Sequence, residues 1–346
     1  MSADPSIDRR WWQASDTSQG LRIAFAVTFS FILSLALGNP IPFLGPLFAA
    51  QFLSAQRAPL PFGKAVGLVL VVAVVGFGLQ LLLAGFADHP PVILTLLGAI
   101  YCLCFFAQAV GKVGPVPFLV LVVAVMMPLL TLLDYDLGTS VLAILIGGIV
   151  EGIVWMWAAH ALFPHRGASD DAAQPAFRSR SPVVRALASA AILLIAVTVC
   201  LTNDRFSTAL VIPITVASLL MQFDVSRGAK AAIGLMLVNV LGGALASVIF
   251  GLTTVRHPLF LLFLGVLAVS LFLGGRAALP RPSANVFAGA LTIFLVVLGS
   301  GVSPLPATAA DTFATRVGYI ALATLYSLFM TALLWPAERD AAEARA

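Results

Sequence analysis

The chain has 346 residues, 60% of them hydrophobic and only 10% charged, with a formal net charge of +4. The polar residues that remain cannot clothe a water-soluble surface, so the solvent must be lipid and a separate globular catalytic domain is excluded. At roughly 20 apolar residues per bilayer crossing, a chain of this length accommodates about ten to thirteen helices.

Arg9 and Arg10 precede an apolar run over 21–38 that ends Ala36-Leu37-Gly38. That run is long for a signal-peptide core, and Asn39-Pro40 leads straight into another apolar segment, so the pattern predicts a retained first helix. Apolar runs between Pro, Gly and charged punctuation predict further helices near 42–55, 65–86, 91–110, 116–133 and 138–163. Residues 164–182, PHRGASDDAAQPAFRSRSP, form the longest hydrophilic stretch and read as a flexible linker. The second series falls near 183–201, 206–222, 230–251, 257–275, 284–301 and 312–335. The predicted fold class is therefore all-α integral membrane, with about 12 transmembrane helices arranged as two parallel six-helix repeats. Its segments are a cytoplasmic N-terminal stretch (1–20), a first repeat (21–163), a cytoplasmic linker (164–182), a second repeat (183–336) and a cytoplasmic tail (337–346).

Charge fixes the expected orientation, because cytoplasmic loops carry the Lys and Arg excess. With a cytoplasmic N-terminus, all of the 19 Lys and Arg except Arg205, Arg256 and Arg316 fall inside. Dropping one helix would invert every later loop and scramble that bias. The positive charge is topological, and no nucleic-acid partner is implied.

The two series also overlay. Leu21-Arg22 pairs with Val184-Arg185, Pro46 with Pro213, Gly63-Lys64-Ala65 with Ala229-Lys230-Ala231, and His89-Pro90 with His257-Pro258. The ends match as Ala161-Leu162-Phe163-Pro164 and Ala332-Leu333-Leu334-Trp335-Pro336. Duplicated six-helix units are a common plan of secondary transporters, and an even number per half makes the halves parallel, with substrate between them.

One acidic residue stands apart from the loops. Glu151, in Gly147-Gly148-Ile149-Val150-Glu151-Gly152, sits near the middle of the sixth predicted helix. An ionisable group at that depth is costly and marks a functional site by default, here a carboxyl that takes up and releases protons or meets substrate. The competing reading is a structural carboxyl bonded to a neighbouring helix, with Gly148 and Gly152 permitting close approach. The matching region near Ala323 and Thr324 has no acid, so a proton site belongs to one half only.

Pro46 and Pro213 predict broken or kinked helices at equivalent positions, the best sequence pointer to a transport site. Gln51, about a turn beyond Pro46, and Asn239 are further cavity candidates, although deep amides such as these, Gln80 and Gln108 are more often interhelical ties. Lys64 and Lys230, at equivalent inner helix starts, are candidates for drawing anions to the cytoplasmic mouth, against a plainer role as topology anchors. His160 points away from Glu151 and reads as an interfacial anchor beside Trp155 and Trp157. His89 and His257 precede prolines at helix starts, where helix initiation is the plain reading. Cys102, Cys104 and Cys200 read as small packing residues. No metal or cofactor site is expected, and without GxxxxGK[ST], GxSxG or HExxH patterns neither ATP hydrolysis nor other enzymatic activity is expected.

Leu21-Arg22-Ile23-Ala24-Phe25-Ala26-Val27, followed by Pro42-Phe43-Leu44-Gly45-Pro46-Leu47-Phe48-Ala49-Ala50-Gln51 and the close Ala159-His160-Ala161-Leu162-Phe163-Pro164, resembles the fusaric acid resistance and aromatic acid exporter superfamily, in its compact branch without a large cytosolic domain. The resemblance implies a bacterial inner-membrane pump that exports small aromatic or amphipathic carboxylic acids on the proton gradient. It also implies a periplasmic adaptor of the membrane fusion type as partner, alongside the lipid bilayer and the small-molecule substrate, and leaves a homo-oligomer open. Two alternatives compete with it. One is a non-transporting scaffold that docks the adaptor, and the other a membrane-embedded enzyme acting on a lipid-linked substrate through His89 or His257.

Overall fold

In hydrocarbon every backbone N–H and C=O must find its partner within the chain, and the helix is the local way to do this. The computed structural model is accordingly helical. It describes residues 14–110, 116–131, 135–164, 182–202, 211–222, 228–255, 259–279, 284–303 and 313–334. The helices are α1 (Ala14–Ala36), α2 (Leu44–Ala55), α3 (Phe62–Gly85), α4 (Pro90–Val110), α5 (Val116–Thr131) and α6 (Tyr135–Leu162), then α7 (Pro182–Thr202), α8 (Val211–Gln222), α9 (Gly228–Val255), α10 (Leu259–Ala277), α11 (Ala284–Val302) and α12 (Phe313–Leu334). Each predicted apolar run coincides with one of them. Most of the linker, the N-terminal segment through 13, His257 and the tail lie outside the described residues.

Among the described residues, six helices are long and apolar enough to cross a membrane: Ser18–Ala36, Phe62–Gly85, Pro90–Val110, Ser140–Leu162, Pro182–Thr202 and Leu259–Ala277. The others present shorter apolar stretches, and α2 and α8 have only 12 residues each. At 1.5 Å per residue such a helix reaches about 18 Å, short of the roughly 30 Å hydrocarbon layer. The prolines set this length. Pro46 and Pro213 are the third residues of α2 and α8, where their missing N–H is spared, so each sits in the first turn of a short helix. Helix α1, in contrast, begins upstream of its apolar run, taking in the polar turn at 14–20.

The chain divides into two compact units that do not follow its two sequence halves. Unit 1 comprises Met1–Val69, Ile146–Ala172 and Leu241–Pro306; unit 2 comprises Leu70–Leu145, Ala173–Val240 and Ala307–Ala346. In unit 1, α1 packs on α2 and α10, and α11 on α10 and α2. In unit 2, α7 packs on α8 and α4, and α5 on α4 and α8. The second set is the first with every helix number shifted by six, counted around the twelve.

Burial follows the same correspondence. Leu44–Ala50, Phe52 and Leu53 of α2 are buried, as are 212–221 of α8, 121–129 of α5 and 290–300 of α11. A helix that is apolar all round belongs inside. Helix α3 instead exposes Phe62, Val66, Leu70, Val74, Phe77 and Leu81 at helical spacing, a lipid-facing stripe. In unit 2 the fully buried Tyr101 on α4 donates to the Ala124 carbonyl of α5 at 3.1 Å. Tyr101→Phe is expected to lower stability by about 1 kcal/mol, read as a lower unfolding midpoint in detergent.

Candidate functional site

The candidate site lies in unit 1, and its geometry starts with the way α1 stops. Gly38 adopts φ +70°, the left-handed conformation of a helix-ending glycine. Its N–H donates to Leu35 O at 3.1 Å and the Asn39 N–H to Ser34 O at 3.0 Å, closing the last turn. Ser34 is thereby fixed in that turn, with Ser30 one turn before it on the same side.

Both hydroxyls meet Glu151. Ser30 Oγ donates to Glu151 Oε1 at 2.8 Å, and Ser34 Oγ lies 2.7 Å from both carboxyl oxygens. Glu151 is the middle residue of the apolar span Ser140–Leu162, eleven residues from each end, and its side chain is half-buried.

Two glycines let α6 come this close to α2. A Cβ at Gly152 would fall 2.9 Å from the Ala49 nitrogen and 3.1 Å from the Gly45 carbonyl oxygen, and one at Gly148 would fall 2.9 Å from Leu44 Cβ. Gly45, at the start of α2, faces the acid: a Cβ there would lie 2.5 Å from the carboxyl and 2.8 Å from Ser30 Oγ. The break between α1 and α2 therefore puts a side-chain-free backbone against the only acid within the described apolar spans.

Aromatic rings lie one turn along. Trp155, four residues beyond Glu151, packs against Phe25 and Phe29 of α1 at centroid distances of 5.8 Å each, and Phe29 meets Phe263 of α10 at 5.5 Å. Further along the same seam, Arg22 Nε donates to the Phe163 carbonyl at 2.7 Å. Since the start of α1 meets the end of α6 and the end of α1 meets its middle, the two helices run antiparallel.

The other sequence candidates take varied positions. Gln51 bonds Thr292 of α11, Nε2 to Oγ1 at 3.3 Å, and serves as an interhelical tie. Gln108 likewise donates to the Met221 carbonyl at 2.6 Å. Pro46 lies in the first turn of α2 beside Gly45, while Pro213 holds the equivalent place in α8 of unit 2. Lys64 is exposed in the first turn of α3. Lys230 and Asn239 fall in α9, and their side chains lie outside the described residues.

The two ring nitrogens of His160 lie 2.9 and 3.2 Å from the Met156 and Arg57 carbonyl oxygens, either of which accepts the ring N–H, and Trp157 Nε1 donates to Leu60 O at 2.8 Å. Together they fasten the end of α6 to the α2–α3 connection. His89 is exposed, and its carbonyl accepts the Val92 N–H at 3.0 Å in the first turn of α4. Among the described residues no three His, Cys, Asp or Glu side chains converge.

Ser30, Ser34 and Arg22 are the members of this site that the sequence reading did not select. Their spacing of eight and then four residues along one apolar helix was the available signal, since it lines polar groups along one side.

Comparison with known proteins adds a family without an assigned role. Residues 19–158 match a family described as a protein of unknown function (DUF2955), a stretch that runs from α1 into α6 and contains Ser30, Ser34, Gly45 and Glu151. The chain is similar to that family over these residues, and no curated protein and no solved structure matches it.

Proposed function

We propose that this chain is a bacterial inner-membrane secondary transporter that exports small aromatic or amphipathic carboxylic acids in exchange for protons, with Glu151 as the proton carrier. The observation that carries the reading is the Glu151 carboxyl at the centre of an apolar helix, held by two serine hydroxyls and open to a glycine at the start of a short helix. A carboxylate placed only for packing is a poor choice there, because a charge at the centre of a membrane helix costs on the order of 3 kcal/mol on insertion scales.

The serines supply a way to hold either protonation state. With Glu151 ionised, Ser30 and Ser34 donate to it. When the carboxyl takes a proton, each hydroxyl can turn to the carbonyl four residues back, as helical serines do, leaving Ser34 Oγ to accept from the new O–H. The two hydroxyls and the carboxyl O–H thus have a partner in either state. The Phe25, Phe29 and Trp155 rings one turn away suit the aromatic part of a substrate.

The finer architecture belongs to the same proposal: twelve spans in two parallel six-helix repeats, both termini cytoplasmic, with α2 and α8 as interrupted elements within them. Helix pairing that repeats on a shift of six, a family match confined to the first six helices, and antiparallel α1 and α6 support it. So does the resemblance to aromatic acid exporters. Lys64 and Lys230 would attract anions to the cytoplasmic mouth, and a membrane fusion type adaptor would receive substrate on the periplasmic side.

The test is accumulation of a panel of aromatic carboxylates in efflux-deficient cells expressing the full chain, with and without a co-expressed adaptor. Accumulation is expected to fall with the protein present and to recover when a protonophore collapses the gradient. If no acid moves while folded protein is in the membrane, the transport reading fails and an adaptor-docking scaffold replaces it.

A further inference from the structure

Arg22 is the largest fully buried side chain of the described residues, at 0% exposure. Its guanidinium is held in one orientation. Nε donates to Phe163 O just past the end of α6 at 2.7 Å, and Nη1 donates to Gln19 Oε1 at 2.9 Å. Gln19 is itself oriented by donation from Nε2 to the Leu53 carbonyl near the end of α2 at 2.5 Å. The Phe163 and Leu53 carbonyls lie at the ends of α6 and α2, where partial negative charge gathers, so Arg22, directly and through Gln19, ties α1 to both helices.

They do not account for Nη2, which is buried with no hydrogen-bond partner. A guanidinium carries five N–H donors and no acceptor. All the partners found for it are neutral oxygens, so both N–H groups of Nη2 and a full positive charge are left over. A buried, unpaired charge is among the most expensive arrangements a fold can keep, and an oxyanion is the ligand that removes the expense. Arginine is also the side chain best shaped for carboxylate.

Along α1, Arg22 lies eight residues from Ser30, about 12 Å of helix, with Phe25 and Phe29 between them. The seam between α1 and α6 therefore runs from a spare cationic donor, past aromatic rings, to the Glu151 carboxyl.

We propose that Arg22 Nη2 binds the carboxylate of a small organic acid, making the start of α1 an anion site separate from the Glu151 proton site. This rests on the transport reading for its role in the cell, though the binding itself does not depend on transport. Binding would supply the missing acceptor, so the affinity contains the relief of an unpaired charge and a neutral isostere gains nothing from it.

The test uses the purified full chain in maltoside detergent, which carries no phosphate, titrated calorimetrically with benzoate, phenylacetate and decanoate, and with benzamide as the uncharged control. At least one acid is expected to bind saturably to the wild type, with benzamide at least tenfold weaker. Arg22→Gln should weaken the acid at least tenfold, Arg22→Lys should fall between, and Glu151→Gln should retain binding. If benzamide equals the acids on the wild type, or no acid binds, the anion site is overturned even where Arg22→Gln fails to fold. Folded Arg22→Gln that binds like the wild type also overturns it and leaves proton-coupled export standing. Acids that bind through Arg22 and are never exported leave the site standing and refute transport.

Discussion

Cells expressing Glu151→Gln are expected to accumulate aromatic carboxylates to the level of cells without the protein, with or without a protonophore, while the variant reaches the membrane in normal amount. Glutamine keeps the size of the side chain and can still accept from Ser30 and Ser34, so packing around the 2.7 and 2.8 Å contacts survives. What it loses is the capacity to take and release a proton. A carrier that needs that step stops, whereas a structural carboxyl would leave export nearly intact. Ser34→Ala and Ser30→Ala should each lower the rate about tenfold or more, because a hydrogen bond to an ionised group contributes about 1.5–3 kcal/mol. Ser34→Ala should have the greater effect, since Ser34 touches both oxygens of the acid. Full export by Glu151→Gln, measured over several external pH values, would remove Glu151 from the mechanism.

Gly152→Ala is expected to lower the unfolding midpoint clearly, while Gly147→Ala, five residues earlier in the same helix, is expected to be neutral or mildly stabilising. The contrast comes from what a methyl group would meet. At Gly147 nothing lies within 4 Å, and alanine is the better helix former. At Gly152 the methyl would press on Ala49 N, Phe48 Cβ and Gly45 O, which are backbone or near-backbone atoms that cannot swing aside. Forcing α6 from α2 costs about 1–3 kcal/mol by the usual measure of overpacking. It also moves Gly45 relative to the acid, so export should fall along with stability. Thermal unfolding of both variants in detergent, followed by tryptophan fluorescence, checks the pair. Equal midpoints would mean that α2 and α6 are not in close contact.

Much of this protein was legible in its sequence, for a definite reason. Lipid leaves the chain few options, so apolar runs bounded by Pro, Gly and charge mark helices directly, and every predicted run meets a helix. Glu151 was legible on the same ground, since an acid within such a run has no cheap explanation. The close approach of α6 at Gly148 and Gly152 could also be anticipated from small-residue spacing.

The partners of these residues depend on distances across the chain that no local pattern encodes. Ser30 and Ser34 are 121 and 117 residues from Glu151, and serines inside membrane helices usually bond their own backbone. Arg22 reads in sequence as one more basic residue near a helix start, and only its burial and the empty Nη2 distinguish it. Prolines announce a break, yet position within a helix decides what the break does. In the first turn Pro46 and Pro213 open short helices, where in an interior turn they would have kinked long ones. The sequence alone determined the solvent, the helices and the acid at mid-helix, because each follows from the cost of putting a group into hydrocarbon. The tertiary structure decided which helices from distant parts of the chain meet around that acid, because packing between helices in lipid turns on shape and hydrogen bonding, not on hydrophobicity.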